Sequence, residues 1–169
     1  MKLFWIALLV LPHLALASLT PQAISRLPAK KYVSEGIFQG GQPVDANVEA
    51  IRLAQHGAYE RWVIDFSDVE TRSVGKVAPE FVVKYQKTRG QPRLQILLRK
   101  IHRNYVLKSQ LPKLVNQSDL VSQILFYPSI EDGDGAIELI LKENVSVQFE
   151  VHQPEIKTGR LVIDLTTNP

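Results

Sequence analysis

Seven short apolar segments, each bounded by turn-forming residues, constrain the fold of this chain more than any other feature. Most alternate apolar and polar side chains at a period of two, which is typical of half-buried β-strands. Gly, Pro, Asn and Asp lie in the connections, as β-turns require. This spacing predicts an all-β protein, whose strands are Arg61–Ser67, Phe81–Gln86, Arg93–Ile101, Val121–Tyr127, Ala136–Lys142, Val145–His152 and Arg160–Thr166.

The two halves of the sequence carry their segments in the same order. The alternation in Phe81–Tyr85 returns in Val147–Val151, 66 residues later, and that of Arg93–Leu98 returns in Arg160–Leu165, 67 residues later. With the apolar segment around Ile51 counted as the first strand of the first half, each half has four strands. This predicts a β-sandwich of two related four-stranded sheets built by internal duplication. The predicted domain covers residues 46–169, with a first half at 46–102, a joining segment at 103–117 and a second half at 118–169.

Two strands from different places in these halves are alike: ERWVIDFSD begins at Glu60, and GRLVIDLTT begins at Gly159. In both, bulky apolar side chains alternate with Arg, Val and Asp, so one face of each strand is apolar. We interpret this likeness as shared strand chemistry rather than equivalence by duplication. The sequence leaves open whether the strands share a sheet. If they are antiparallel neighbours, their charges pair as Arg61 with Asp164 and Asp65 with Arg160.

The segment DANVEAIRLAQHG has two interpretations. Val48 and Ile51 have helical spacing, Asp45 is an available N-cap and Gly57 an available helix stop. Its position within the repeat instead predicts a strand around Glu49–Ala54. The question of helix or strand for residues 48–55 therefore stays open. Further along, LPKLVNQSDLV is expected to include one helical turn before its Asp.

The N-terminus has the features of a secretory signal. Lys2 is followed by an apolar run that ends in Ala15-Leu16-Ala17, a small-x-small cleavage pattern. We expect a cleavable signal peptide at residues 1–17, with an uncleaved anchor as the alternative. A flexible leader is expected at residues 18–45, with a short strand near Tyr32–Phe38. The chain has no cysteine, which excludes disulfides and thiolate metal sites, and its net charge of +3 is too small to indicate a nucleic-acid partner.

Three motifs of the first half resemble the AMIN-like domain of bacterial cell-envelope proteins. They are a His-Gly-x-Tyr-x-Arg turn from His56, a Val-Ile-Asp-Phe strand from Val63 and a Pro-x-Phe-x-Val-x-Tyr strand from Pro79. The ending Arg-Leu-Val-Ile-Asp-Leu from Arg160 is similar to the closing strand of AMIN domains proper. The resemblance implies a β-sandwich of two related four-stranded sheets and a role in the envelope. AMIN domains typically direct cell-wall amidases and secretin subunits to their place by binding the wall.

Sequence motifs of catalysis are absent. The chain has no Gly-x-Ser-x-Gly elbow, no His-Glu-x-x-His helix and no phosphate-binding Gly loop. We therefore expect no enzyme, no cofactor and no metal, although a meeting of His152 with acidic residues in the folded chain stays open. His56, Tyr59 and Arg61 cluster where a loop enters a strand. They suit a sugar carboxylate, for which Arg offers forked donors, or alternatively a hairpin cap.

These observations predict a secreted, periplasmic, non-catalytic binding module that recognises peptidoglycan or another cell-wall glycan. The alternative is an envelope scaffold that docks a protein partner through a sheet edge or face. Neither nucleic acid nor a stable membrane anchor after signal cleavage is expected. The predicted ligand-binding residues are His56, Tyr59, Arg61 and Arg160.

Overall fold

A computed structural model describes residues 36–87, 91–128, 133–143, 147–152 and 159–167. The described residues form ten strands and one short helix. The predicted signal peptide at residues 1–17, and the leader up to residue 35, lie outside them. In chain order, the elements are β1 (Ile37–Gly40), β2 (Ala46–Gln55), β3 (Glu60–Ser67), β4 (Phe81–Gln86), β5 (Arg93–Leu98), β6 (Ile101–Asn104), α1 (Leu111–Gln117), β7 (Val121–Pro128), β8 (Gly135–Leu141), β9 (Val147–His152) and β10 (Arg160–Thr167).

The strands form two five-stranded sheets. Sheet A has the order β6-β2-β3-β10-β9, and sheet B has the order β1-β4-β5-β8-β7. Neighbouring strands in these orders are antiparallel, apart from β2 and β6, which run parallel. The predicted all-β sandwich is confirmed. Each sheet has five strands rather than four because the short strands β1 and β6 add an edge, and each sheet combines strands from both halves of the sequence.

Large apolar side chains from both sheets share one interior. Trp62 and Phe66 of β3 are each 1% exposed, and Leu94, Ile163 and Leu165 are fully buried. The period-two alternation of β3 turns its Trp, Ile and Phe inwards, as the sequence predicts. Burial of these three side chains stabilises the fold by roughly 5–8 kcal/mol before the loss of chain entropy is considered.

The ambiguous segment is strand β2, which contains a bulge. Its pairing with β3 shifts register between Val48 and Ala50. The extra residue puts Val48 and Ile51 on the same buried face although they are three positions apart. The bulge therefore explains why the apolar residues of a strand have helical spacing. The expected turn of helix before Asp119 is confirmed as α1.

The strand predicted at Arg93–Ile101 is two strands. β5 ends at Leu98, and Lys100 has a left-handed backbone with φ of 56°. The chain turns there and leaves sheet B, and β6 then lies beside β2 in sheet A. The short strand expected near Tyr32–Phe38 is found slightly later, as β1, although residues 32–35 lie outside the described part of the chain.

The two look-alike strands are antiparallel neighbours at the centre of sheet A. β3 pairs with β10 so that Arg61 lies opposite Asp164 and Asp65 opposite Arg160. The conditional charge pairing stated from the sequence is therefore confirmed. Because the apolar residues of both strands point inwards, these four charged side chains lie on the outer face of sheet A.

Candidate functional site

Charged and aromatic side chains concentrate on the outer face of sheet A. Four neighbouring strands supply them, because most polar residues of β2, β3, β10 and β9 take outward positions, while most inward positions are apolar. The β2–β3 turn contributes two rings at one end of this face. The residues are His56, Tyr59, Arg52, Arg61, Asp65, Glu150, His152, Arg160 and Asp164.

The turn between β2 and β3 holds an aromatic stack. The rings of His56 and Tyr59 lie 4.7 Å apart at an interplanar angle of 18°. The guanidinium carbon of Arg61 lies 5.4 Å from the centre of the Tyr59 ring, within cation–π range. The His56 N–H donates to the Tyr59 carbonyl at 3.0 Å, and Gly57 takes a left-handed φ of 71°, which closes the turn. We call His56, Tyr59 and Arg61 the turn cluster.

Arg61 also makes a forked ion pair with a buried carboxylate. Its Nε and Nη2 donate to Asp164 Oδ1 and Oδ2 at 2.7 and 2.8 Å. The Asp164 side chain is fully buried, whereas 31% of the Arg61 side chain is exposed. His152 Nε2 lies 2.7 Å from Asp164 Oδ2. One carboxylate of β10 thus contacts cationic or imidazole groups from both neighbouring strands.

Glu150 lies directly opposite Asp164 in the pairing of β9 with β10. One carboxylate oxygen of each acid and one ring nitrogen of His152 lie within 4.8 Å of one another. Glu150 Oε2 is buried and has no hydrogen-bond partner among the described residues. These three side chains are a set that could hold a metal ion, since they combine imidazole with two carboxylates.

The other end of the outer face has an excess of guanidinium groups. Arg52 pairs with both carboxylate oxygens of Asp65, and Arg160 Nε donates to Asp65 Oδ1 at 3.0 Å. The hydrogen bonds that Arg52 donates to Asp65 raise the pKa of Arg52. Since one carboxylate serves two guanidinium groups, this end of the face carries a net positive charge.

A second ion pair lies at the same end of the outer face of sheet A. Arg72 donates to Glu49 at 2.9 Å, and these hydrogen bonds lower the pKa of Glu49. Arg72 has a left-handed φ of 53°, which is costly for a residue with a side chain, and its guanidinium lies 3.7 Å from the centre of the Tyr105 ring. Arg72 and Glu49 line a cavity of about 380 Å³, together with Arg52, Asp65 and Arg160. We call this cavity, with its three Arg and two acids, the arginine cavity.

The outer face of sheet B is different in character. It contributes to a cavity of about 640 Å³, where Leu97 and Tyr127 are 40% and 46% exposed. Its buried acid, Glu138, is paired with Arg93 at 3.2 Å and accepts from Gln95 at 3.2 Å. This face therefore presents apolar surface next to the Glu138 carboxylate, which already has an ion-pair partner in Arg93.

The four predicted ligand-binding residues lie on one face of the molecule, at two separate places. His56, Tyr59 and Arg61 form the turn cluster. Arg160 is a member of the arginine cavity, four residues further along the paired strands, a separation of about 13 Å. Both Arg side chains have carboxylate partners, which the sequence predicted only on condition that the strands are neighbours.

Other residues of this face were missed by sequence reasoning. Arg52, Arg72 and Glu49 come from β2 and from a loop, and no local motif marks them. The sequence does not specify which acidic residues lie beside His152. The alternation of β9 and β10 does signal that Glu150, His152 and Asp164 point to one side, but the strand order needed to join them is a property of the fold.

No protein-family model matches this sequence, and no curated protein matches it. Among the described residues, no helix has the length and apolarity needed to span a bilayer.

Proposed function

We propose that this protein is a non-catalytic binding module of the bacterial envelope that recognises peptidoglycan through the outer face of sheet A. The observation that carries the proposal is the turn cluster. It sets an aromatic stack beside a guanidinium on a face whose far end is cationic. The proposed ligand-binding residues are His56, Tyr59, Arg61 and Arg160, and the envelope setting and secretion through a signal peptide belong to the same proposal.

The chemistry of the wall polymer suits the two ends of this face. Sugar rings have apolar faces that pack on aromatic rings, and Tyr offers such a ring with a polar tip. Peptidoglycan also carries carboxylates, for which Arg supplies two parallel donors. The two terminal nitrogens of Arg160 have no partner among the described residues, and 47% of its side chain is exposed. Arg160 is therefore the residue best placed to accept a ligand carboxylate.

Arg61 has a different role in this proposal. Its guanidinium already donates two hydrogen bonds to Asp164. Arg61 therefore orients the turn cluster rather than offering this pair of donors to the ligand. Replacing Arg61 with Ala would leave the buried Asp164 without its forked partner, which destabilises a fold strongly. Binding tests are therefore better made at Tyr59 and Arg160.

We also propose that the two halves of the chain arose by duplication of a four-stranded unit, which contributes two strands to each sheet. If β2, β3, β4 and β5 correspond to β7, β8, β9 and β10, the order β2-β3-β10-β9 becomes β7-β8-β5-β4, which is the order in sheet B. The first strand of each unit, β2 and β7, also contains a bulge. Register shifts follow Val48 in β2 and Val121 in β7, and in both strands an Ile three positions later is buried. Bulges are kept within families, which supports a common origin.

Retention on purified peptidoglycan sacculi tests the proposed function. The protein should sediment with sacculi, and Tyr59→Ala and Arg160→Ala should each weaken retention about tenfold, since a lost charged hydrogen bond or stacking ring costs about 1.5 kcal/mol. Arg160→Lys should recover only part of the binding, because an ammonium lacks the fork.

The matched control is Lys84→Ala, which removes an exposed cation from β4 on the outer face of sheet B. It should leave retention unchanged. Failure of the unaltered protein to bind sacculi, or equal binding by all four variants, would overturn the proposal.

A second candidate function is docking of an envelope protein, and the outer face of sheet B favours it. Tyr127 and Leu97 are large and exposed, and both lie beside Ala136 of β8, Tyr127 in β7 and Leu97 in β5. β7 is an edge strand of eight residues and pairs with β8 alone among the described strands. Exposed strand edges pair readily with other chains. Loss of a co-purifying envelope protein in Tyr127→Ala, with sacculus binding absent, would favour this candidate over the first.

A further inference from the structure

We infer that Glu150, His152 and Asp164 form a binding site for a divalent transition-metal ion, with Zn²⁺ as the best match. Nothing in the proposed recognition of peptidoglycan requires this site. The inference rests on the position of the three ligand groups, on the charge they bring together and on a carboxylate oxygen without a partner.

The strand pairing brings the three groups together on a rigid element. Glu150 lies opposite Asp164, and His152 is two positions further along β9, on the same face. One potential ligand atom from each side chain lies within 4.8 Å of the other two. Atoms at such separations can ligate one ion at the usual 2.0–2.2 Å with small side-chain rotations. Sites on strands hold their ligands more exactly than sites on loops do.

The charges of the Glu150 and Asp164 carboxylates favour a bound cation. Two carboxylates directly opposite each other on neighbouring strands destabilise a sheet. Arg61 offsets the charge of Asp164, which is fully buried. Glu150 has no ion pair among the described residues, and its Oε2 is buried without a hydrogen bond. Buried polar atoms nearly always have a partner, and a bound cation is one partner that this oxygen could take.

The ligand set selects among cations. An imidazole nitrogen with two carboxylate oxygens suits zinc and its neighbours, whereas calcium and magnesium favour sites made of oxygen alone. Three protein ligands leave a fourth position of a tetrahedral ion for water or an external group. A metal ion here would therefore keep one coordination position that the three side chains do not fill.

Arg61 is compatible with this ion. Its Nε bond to Asp164 Oδ1 can stay while an ion binds Oδ2, which now contacts both Arg61 Nη2 and His152 Nε2. Binding would then replace the contact of the imidazole with the carboxylate by a shared metal. With Glu150 and Asp164 charged and His152 neutral, the three ligands and Arg61 sum to one negative charge, which favours a divalent cation.

Zinc titration by isothermal calorimetry, after removal of metals with EDTA, tests the inference on the full chain. We expect one tight equivalent of Zn²⁺, and we expect Glu150→Gln and His152→Ala to weaken its affinity at least tenfold. Zinc should also raise the melting temperature of the unaltered protein, because a ligand of the native state stabilises it. Glu150→Gln keeps the size of the side chain and removes no hydrogen bond from Oε2, so this variant should fold.

The matched control is His102→Ala. His102 lies 3.5 Å from Asp45, so it forms another exposed pair of imidazole and carboxylate away from the three proposed ligands. This variant should bind zinc within twofold of the unaltered protein. Absence of a tight equivalent, or the same affinity in Glu150→Gln as in the unaltered protein, would overturn the site.

Discussion

At the scale of single residues, the buried carboxylate of Glu60 joins distant parts of the chain. Its Oε1 accepts from the backbone N–H groups of Asp119 and Leu120, and its Oε2 accepts from Ser118 Oγ at 2.7 Å and Trp62 Nε1 at 3.3 Å. The residue is only 3% exposed. Glu60, the first residue of β3, thus binds the connection between α1 and β7.

Glu60→Ala should lower the free energy of unfolding by about 2–4 kcal/mol, because it leaves buried N–H donors without an acceptor. Glu60→Gln should cost less, since one oxygen is kept. Urea denaturation followed by circular dichroism measures both. Glu143→Ala, at an exposed Glu, is the control and should change stability by less than about 0.5 kcal/mol. A similar loss in the two Ala variants would show that Glu60 has no special role.

Residues of the site differ in how far the sequence predicts them. His56, Tyr59 and Arg61 lie within one turn, so their proximity follows from the local sequence. The partners of Glu60 at Ser118, Asp119 and Leu120 lie 58 to 60 positions away. The carboxylate partners of Arg61 and Arg160 lie 103 and 95 positions away. Such contacts depend on the order of strands in a sheet, which short-range patterns do not specify.

At the scale of elements, two glycines bring the β3–β4 connection against the start of β10. The Gly159 N–H donates to the Gly75 carbonyl at 2.7 Å, and the Gly159 carbonyl accepts from the Phe66 N–H at 2.8 Å. A Cβ atom added at Gly159 would lie 2.6 Å from the Gly75 oxygen. Only a residue without a side chain allows the two backbones to approach this closely.

Gly159→Ala should therefore lower the free energy of unfolding by about 1–3 kcal/mol, as overpacking does. Thermal or urea denaturation gives the value. Gly135→Ala in β8 is the matched control, because its Cβ would be 3.9 Å from the nearest atom, the Tyr127 oxygen, which is an ordinary contact. Equal stability of Gly159→Ala and the unaltered protein would contradict the close approach.

Strands were easier to predict than their interruptions. Regular alternation predicts β3, β4 and β10 well, because each has one apolar face along its whole length. The bulge in β2 breaks the alternation and imitates helical spacing. The left-handed Lys100, which divides one apolar run into β5 and β6, has no sequence signal, since lysine does not favour that conformation.

At the scale of the whole molecule, the two halves of the chain are interleaved. β3 of the first half and β10 of the second are neighbours, as are β5 and β8 in the other sheet. The outer face of sheet A therefore exists only when both halves fold together. Its aromatic end comes from the first half, and Arg160, Asp164, Glu150 and His152 come from the second.

We propose that peptidoglycan contacts the outer face of sheet A, and the binding of a soluble fragment of the polymer tests this. The most direct measurement is the change of backbone amide chemical shifts in the ¹⁵N-labelled protein when a soluble muropeptide, a disaccharide with its stem peptide, is added. We predict that the shifted amides cluster around Tyr59, Arg61 and Arg160. Shifts confined to the face of sheet B around Leu97 and Tyr127, or no shifts at millimolar muropeptide, would contradict the account.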